Sequence, residues 1–296
     1  MPKPAVSIII ALHNQLALTQ DCLRSLTQTL THHTYEVILV DDCSTDGTRD
    51  FLATLNHPYH VILNETRSGF ARNNNRAAQQ ARAPILCFLN NDTVLQPGWL
   101  EPMLQGLAEL PNPGLVGNLQ WSPKTRTYDH MGIVFDPLGQ PFHFGKYFIL
   151  RPYRGFTRWG AVTAACALIQ RDLFLSIGGF DTAYQNGSED VDLCLRLEQL
   201  GKHHYVANNS IIHHLVSSSP GRHHHTSRNE QILLERWSDL TRRTWAIWDQ
   251  DLYAINYALR FLTRPWRYNG PKLVKALTHL IHHPARAYRA FRVGRR

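Results

Sequence analysis

The sequence predicts an α/β fold, a doubly wound, mostly parallel sheet with helices on both faces, followed by a C-terminal helical extension. Three observations carry this. Short apolar runs alternate with stretches of helical periodicity from Val6 to Leu110. Two of the apolar runs end on acidic or amide side chains, Val37-Ile38-Leu39-Val40-Asp41-Asp42 and Leu86-Cys87-Phe88-Leu89-Asn90-Asn91-Asp92. From Glu230 onward the pattern is helical, with Pro265 and Pro284 breaking any single long helix.

In order, Val6 to Leu12 is an apolar strand, and Thr19 to Leu30 carries helical spacing through Cys22, Leu23 and Leu26. Tyr35 to Val40 is the second strand. The turn from Asp42 to Thr48 is rich in capping residues and starts a helix through Phe51 and Leu55; His60 to Leu63 makes a third short strand. A helix over Gly69 to Ala81 leads to Pro84 to Leu89, an unbroken apolar run suited to the buried centre of a parallel sheet. Gly98-Trp99-Leu100 opens a helix to Leu110. Glycine, proline and aromatic residues from Asn118 to Tyr153 read as hairpins and loops. Ala161 to Gln170 reads as one strand of small apolar residues, followed by a helix at Arg171 to Ser176 and the turn Gly178-Gly179-Phe180-Asp181. Glu189-Asp190-Val191-Asp192 begins a helix that Gly201 ends, because acidic side chains favour the positive end of the helix dipole and Val191, Cys194, Leu195 and Leu197 supply a buried face. Ser210-Ile211-Ile212 is a short segment before His213 and His214.

The 296 residues are 43% apolar and 18% charged, an ordinary globular balance with room for one large α/β domain or two smaller ones. Cys22, Cys43, Cys87, Cys166 and Cys194 are scattered without CxxC spacing, which argues against a disulfide framework or zinc site and suits a reducing cytoplasm. Neither a signal peptide nor an apolar run of about 18 residues is evident, so secretion and a membrane span are not expected. The net charge of +8 gathers in the last third, notably Arg260 to Arg296. No recognition-helix, RNP-like or zinc-finger pattern accompanies it, so nucleic acid is not an expected partner.

Parallel strands of a doubly wound sheet place their C-terminal ends along one edge, where such folds bind ligands. The tips at Asp41-Asp42 and Asn90-Asn91-Asp92 therefore face one crevice. Carboxylates there either hydrogen-bond the base and ribose of a nucleotide or hold a divalent cation against its diphosphate. Each segment also has a plainer reading: Asp41, Asp42 and Asp190 as helix caps, Asn90-Asn91-Asp92 as a turn, and Arg72 as a surface arginine.

Four segments, taken together and in this order, resemble family 2 glycosyltransferases of the GT-A fold, particularly the soluble rhamnosyl- and hexosaminyltransferase-like members. They are Val6-Ser7-Ile8-Ile9-Ile10 with His13-Asn14, Val40-Asp41-Asp42 with Ser44 and Asp46, Leu89-Asn90-Asn91-Asp92, and Gly178-Gly179-Phe180-Asp181 leading to Glu189-Asp190-Val191-Asp192. The resemblance covers residues 5 to 220. It implies inverting transfer of a sugar from a nucleoside-diphosphate sugar, with UDP- or dTDP-sugars favoured, to a hydroxyl of a glycan, glycolipid or glycoprotein acceptor.

Residue by residue, the resemblance implies that Asp41, with Asp42 beside it, accepts a hydrogen bond from a pyrimidine ring N–H, and that His13, Asn90 and Asn91 line the nucleotide-sugar pocket. It places Arg72, in the first turn of a helix preceded by Gly69, near the diphosphate. Asp92 holds Mn²⁺ or Mg²⁺, and His213 or His214 completes the metal site; His213 is favoured, since alternation along a strand sends the two imidazoles to opposite faces. Asn90 stands where the family's DxD motif starts with aspartate, and one fewer carboxylate weakens a hard cation's site. Asp190 is the acceptor base with Glu189 as its partner, while Asp192 pairs with Arg196 at i+4. Residues 1–225 form the catalytic domain, 1–120 binding the nucleotide sugar and 121–225 the acceptor. Sugar choice falls to Trp159 and Ala161 to Cys166, and acceptor choice to Asn118 to Tyr153.

Residues 226–296 form a basic, aromatic helical extension. Its tryptophans, Trp237, Trp245, Trp248 and Trp266, have two readings: packing on the catalytic core, or peripheral membrane contact through residues 230–296 at the inner face of the membrane. Arg222 with His223, His224 and His225 is either a loop closing over the diphosphate or a solvated one. Three other functions compete with this reading. A processive synthase would carry membrane spans and Gln-x-x-Arg-Trp, where Leu233 here precedes Arg236-Trp237. A nucleotidyltransferase would need a glycine-rich basic loop where Leu12-His13-Asn14-Gln15 stands. A noncatalytic nucleotide- or sugar-binding module of the same fold is the third.

Overall fold

A computed structural model describes residues 3–30, 34–145, 154–215, 226–244, 249–263 and 270–282. The expectations for His223 to His225, Trp245, Trp248, Pro265, Trp266 and Pro284 lie outside the described residues. The chain begins β1 (Val6–Leu12), α1 (Leu16–Thr29), β2 (Tyr35–Asp41), α2 (Thr48–Ala53), β3 (Tyr59–Leu63), α3 (Gly69–Gln80) and β4 (Ile85–Leu89). It continues β5 (Thr93–Leu95), α4 (Leu100–Glu109), β6 (Pro113–Ser122), β7 (Thr127–His130), β8 (Ile133–Phe135), β9 (Pro141–His143), β10 (Phe156–Trp159) and β11 (Cys166–Gln170). Then come α5 (Arg171–Ser176), α6 (Glu189–Gln199), β12 (His203–His214), α7 (Thr226–Thr244), α8 (Gln250–Thr263) and α9 (Gly270–His282).

One sheet runs β10-β12-β6-β11-β4-β1-β2-β3, with β5 beside β12 and β7 beside β6; β8 and β9 form a separate hairpin. β3, β2, β1 and β4 pair in parallel, as do β6 and β12, while β11 is antiparallel to β4 and β6 and β10 is antiparallel to β12. The double reversal through β11 leaves β1, β2, β4, β6 and β12 pointing one way. Their C-terminal ends, Leu12, Asp41, Leu89, Ser122 and His214, share one edge. Strand alternation divides the core: Val6, Ile8 and Ile10 pack with Cys22 and Leu26 of α1 and Met103 of α4, whereas Ile9 and Ile38 pack with Ala77 of α3 and Leu193 of α6. Phe88, Phe174 and Phe180 meet with ring centroids 4.8–5.2 Å apart and fix α5 and the Gly178-Gly179-Phe180 turn to β4.

Three expectations are corrected. The loops expected from Asn118 begin instead inside β6, a ten-residue strand in the middle of the sheet. Glycine disguised it, yet its neighbours require glycine: a Cβ on Gly114 would lie 2.7 Å from Cε1 of His204, and one on Gly117 3.3 Å from Cβ of Val162. The strand expected over Ala161 to Gln170 starts only at Cys166, because the preceding residues turn the chain antiparallel beside β4. The short segment at Ser210 is the end of the twelve-residue β12, two of whose polar side chains are held by other strands; the Leu115 N–H donates to His204 Nδ1 at 3.1 Å, and Asn208 donates to Thr157 Oγ1 at 2.8 Å.

The first two C-terminal helices pack on the core of the sheet. Leu233 and Trp237 of α7 and Leu252 of α8 are buried in the same apolar cluster as Ile9 and Phe88. Asp249, fully buried, accepts the Phe135 N–H at 2.9 Å. No described helix is long and apolar enough to cross a membrane.

Candidate functional site

The loops after β1, β2 and β3 are stitched together at the shared edge. The Asn14 N–H donates to Ser44 Oγ at 2.7 Å and the Thr45 N–H to Asn14 Oδ1 at 2.7 Å. At α2 and α1 it is Asp46, rather than Asp41 or Asp42, that makes the cap-like contacts, accepting from the Thr48 and Leu16 N–H groups that open them. Asn14, Gln15, Cys43, Asn186 and Ser188 all have positive φ, so non-glycine left-handed backbone gathers along this edge.

Asp41 departs from its expected place. Its side chain has no exposed surface and is spent on the Arg49 guanidinium at 2.8 Å and the Ser44 N–H at 3.1 Å, beneath the β2–α2 turn. Asp42 accepts from the Ser68 N–H at 2.7 Å, Arg67 Nε at 3.0 Å, the Gly69 N–H at 3.2 Å and Asn64 Nδ2 at 3.2 Å. Burial opposes its charge, but hydrogen bonds from Asn73, the Ser68 and Gly69 N–H groups and Asn64 outweigh it and hold the carboxyl below the ordinary carboxylate range. His13 is half-buried, its Nδ1 2.9 Å from the Asp42 carbonyl oxygen. Arg72 is exposed in the first turn of α3, whereas Arg67, which the sequence did not single out, stands half-exposed on Asp42.

Asn90, Asn91 and Asp92 lie between β4 and β5. The Asn90 N–H donates to the Ala165 carbonyl at 2.9 Å, and the Asn91 side chain turns away to donate to Thr19 Oγ1 on α1 at 3.0 Å. Asp92 is buried, and β5 pairs with the end of β12 so that His214 lies opposite Thr93. His214 Nε2 comes within 3.3 Å of Asp92 Oδ1, and its Nδ1 within 3.4 Å of Asp129 Oδ2. His213, favoured from the sequence, faces the other way, its Nδ1 3.4 Å from Gln96 Nε2. Alternation separated the two histidines as expected, but the register with β5 gives the acidic side to His214.

Asp129 is the residue that sequence reasoning missed. On β7, Tyr128 pairs with Trp121 and His130 with Gln120, which leaves Asp129 as the extra residue of a β-bulge aimed at His214. Burial disfavours charge on His214, yet Asp129 and Asp92 prevail and push its pKa up to about 9. Behind them His130 and His143 meet at 2.8 Å, and burial with the neighbouring imidazole holds the His130 pKa well below its ordinary value.

At the start of α6, Glu189 is buried and turns back to accept the Gly187 N–H, while Asp190 is half-exposed. Asp190 Oδ2 accepts the Ala164 N–H at 3.1 Å and Oδ1 the Val191 N–H at 2.9 Å. Ala165, the next residue, receives Asn90, so two adjacent residues tie Asp190 to the end of β4. Asp192 is fully buried and pairs with Arg196 at 2.7 Å. It also accepts from Trp237 Nε1 of α7 at 2.9 Å, while Asn229 of α7 holds the Gln185 and Gly187 carbonyls at 2.9 and 2.8 Å. Helix α7 thus braces the loop that presents Glu189 and Asp190.

The sequence model of the family described as Glycosyl transferase family 2 matches residues 7–178, more than half of the chain. The chain belongs to that family. RfbC, an O-antigen biosynthesis protein of Myxococcus xanthus, is 33% identical over 218 residues, which are 67% of this chain and 16% of that protein. The chain therefore spans a small part of that relative's length. GalNAc-T7, solved with UDP, GalNAc and Mn²⁺, superposes on 99% of this chain and 55% of its own at a TM-score of 0.64 and 15% identity. The mannosyltransferase PcManGT from Pyrobaculum calidifontis, solved with GDP-Man and Mn²⁺, superposes on 98% and 79% at a TM-score of 0.59 and 22% identity. These likenesses show the GT-A fold.

For this family 2 glycosyltransferase the donor set at Asp92 and His214 is one carboxylate and one imidazole, chemistry that suits Mn²⁺. No group of three or more histidine, cysteine, aspartate or glutamate side chains positioned for a metal ion occurs among the described residues.

Proposed function

We propose that this chain transfers a sugar, with inversion, from a nucleoside-diphosphate sugar to a hydroxyl of a glycan or glycoconjugate. A UDP- or dTDP-sugar is the favoured donor and Asp190 the general base. The observation that carries the reading is the link from Asp190 through Ala164 and Ala165 to Asn90. It sets a half-exposed carboxylate at the same sheet edge as Asp92 and His214. A base there can take the acceptor proton while the hydroxyl attacks the anomeric carbon from the side opposite the diphosphate.

Asp92 and His214 would hold a divalent cation, Mn²⁺ or Mg²⁺, whose contribution is neutralising charge on the departing diphosphate. Asp129 orients His214 from its other ring nitrogen, the arrangement that fixes a ligand histidine's tautomer. Asn90, His13, Arg72, Arg67 and the rim of Asp42 furnish the nucleotide pocket, with the buried Asp41 and Glu189 and the half-buried Asn91 as its supports. Residues 1–225 act as the catalytic domain, working in the cytoplasm. The name of RfbC, an O-antigen biosynthesis protein, supports a bacterial surface polysaccharide as product class.

The test is release of nucleoside diphosphate from a panel of nucleotide sugars with Mn²⁺ and simple glycoside acceptors, with the product anomer read by NMR. Inverted product, lost in Asp190→Asn, supports the reading. Retained configuration, or unchanged turnover in the variant, contradicts it.

A further inference from the structure

The net positive charge of this chain lies in its last 45 residues. Residues up to Asp251 hold 21 lysines and arginines against 23 aspartates and glutamates, while the 45 residues that follow hold ten lysines and arginines and no acid. Asp251 is itself buried and lies 2.6 Å from His279 of α9. Residues 252–296 therefore hold no acidic side chain to offset their basic ones.

Helix α9 packs on α8, with Ala276 only 5% exposed. On its free side Val274, Leu277 and Ile281 are 63%, 43% and 75% exposed, at the i, i+3, i+7 spacing of one helical stripe. Leu262, near the end of α8, is 75% exposed as well. Only three other large hydrophobics among the described residues are exposed, Leu63, Leu138 and Leu200, one in each of three separate places. The exposed apolar surface and the uncompensated basic charge thus occupy the same segment.

We propose that α9 docks this chain on an anionic phospholipid surface, with Val274, Leu277 and Ile281 entering the boundary between headgroups and acyl chains and the uncompensated positive charge of this part of the sequence favouring lipid phosphates. Charge complementarity selects this occupant. A second copy would bring two acid-free basic segments together, and the resulting repulsion opposes pairing. A nucleic acid would satisfy the charge and leave the apolar stripe in water. The helix has 13 residues, too few to span a bilayer of about 30 Å, so it lies in the interface. The proposal rests on the helix and the charge and does not depend on the sugar-transfer reading.

The test is co-sedimentation of the full chain with vesicles of phosphatidylcholine alone or mixed with phosphatidylglycerol, at low and high salt, beside the double variant Val274→Asp/Ile281→Asp and the double variant Lys272→Glu/Lys275→Glu. Wild type is expected on the anionic vesicles only and less so at high salt, and each variant to lose most of the bound fraction. Unchanged circular dichroism of the variants shows that they remain folded. Absence of wild-type binding, equal binding to neutral vesicles, or full binding by the Val274→Asp/Ile281→Asp variant would overturn the proposal. So would a wild-type dimer in sedimentation velocity that this variant turns to monomer, which would assign the stripe to a second copy.

Discussion

His214 Nε2 lies 3.3 Å from Asp92 Oδ1, although His214 ends β12 and Asp92 lies in the turn before β5, two elements that the β5–β12 pairing brings together. That pairing decides which of two adjacent histidines belongs to the acidic crevice. His214→Ala is predicted to weaken Mn²⁺ binding by about 10- to 100-fold, as losses around metal sites do. His213→Ala, whose ring faces Gln96, should leave it within about twofold. Isothermal titration of Mn²⁺ with UDP present checks both.

The same pair makes the metal-free protein sensitive to pH. The His214 pKa is raised from 6.5 to about 9, so its contribution to stability is full below the unfolded value and is lost as pH rises through about 9. Metal must displace that proton, so Mn²⁺ affinity is predicted to rise over the same interval. Thermal melts without metal and Mn²⁺ titrations, both from pH 6.5 to 9, should run in opposite directions.

Asp129 supports His214 from the bulge on β7. Asp129→Asn is predicted to lower Mn²⁺ affinity about 10-fold while shifting stability by less than about 1 kcal/mol. Calorimetry and chemical denaturation of the same samples separate a positioning role from a structural one.

Asp42 binds the β3–α3 loop through donors on Ser68, Gly69, Arg67 and Asn64. Asp42→Asn should cost about 2–3 kcal/mol at neutral pH, the scale of hydrogen bonds to a charged group. Because the folded carboxyl titrates below its ordinary value, that advantage exists above the unfolded pKa and disappears as pH falls through the folded one. Urea titrations at neutral pH and at about pH 3 should show the gap between wild type and variant closing in acid.

Asp190→Asn is predicted to reduce kcat by about 10²- to 10⁴-fold with little change in KM for the donor, the range for loss of a general base. Steady-state kinetics with the donor varied at saturating acceptor reads the two parameters apart.

Much of the fold was legible because the first half obeys local rules. Strands such as Ile85–Leu89 are unbroken apolar runs, and α6 announces itself by Glu189, Asp190 and the closing Gly201. β6 was hidden because Gly114 and Gly117 are set by contacts with His204 and Val162, which come from distant parts of the chain. Asp129 had no local signal either, since a bulge is a relation between two strands. The bracing of Asp192 and the Gln185–Gly187 loop by Trp237 and Asn229 joins residues far apart in sequence, so no local pattern in α7 marks its part in the site. Asp41 misled for the opposite reason: a carboxylate ending a strand was expected to face a ligand, whereas the Arg49 guanidinium and the Ser44 N–H claim it.

The central claim is that Asp92 and His214 bind a nucleoside diphosphate through a divalent cation. Isothermal titration of UDP, dTDP and GDP with and without Mn²⁺, on wild type and Asp92→Asn, tests it most directly. Tight binding of one diphosphate that requires Mn²⁺ and vanishes in the variant is the predicted result. Binding of none of the three, or metal-independent binding that the variant retains, would contradict it.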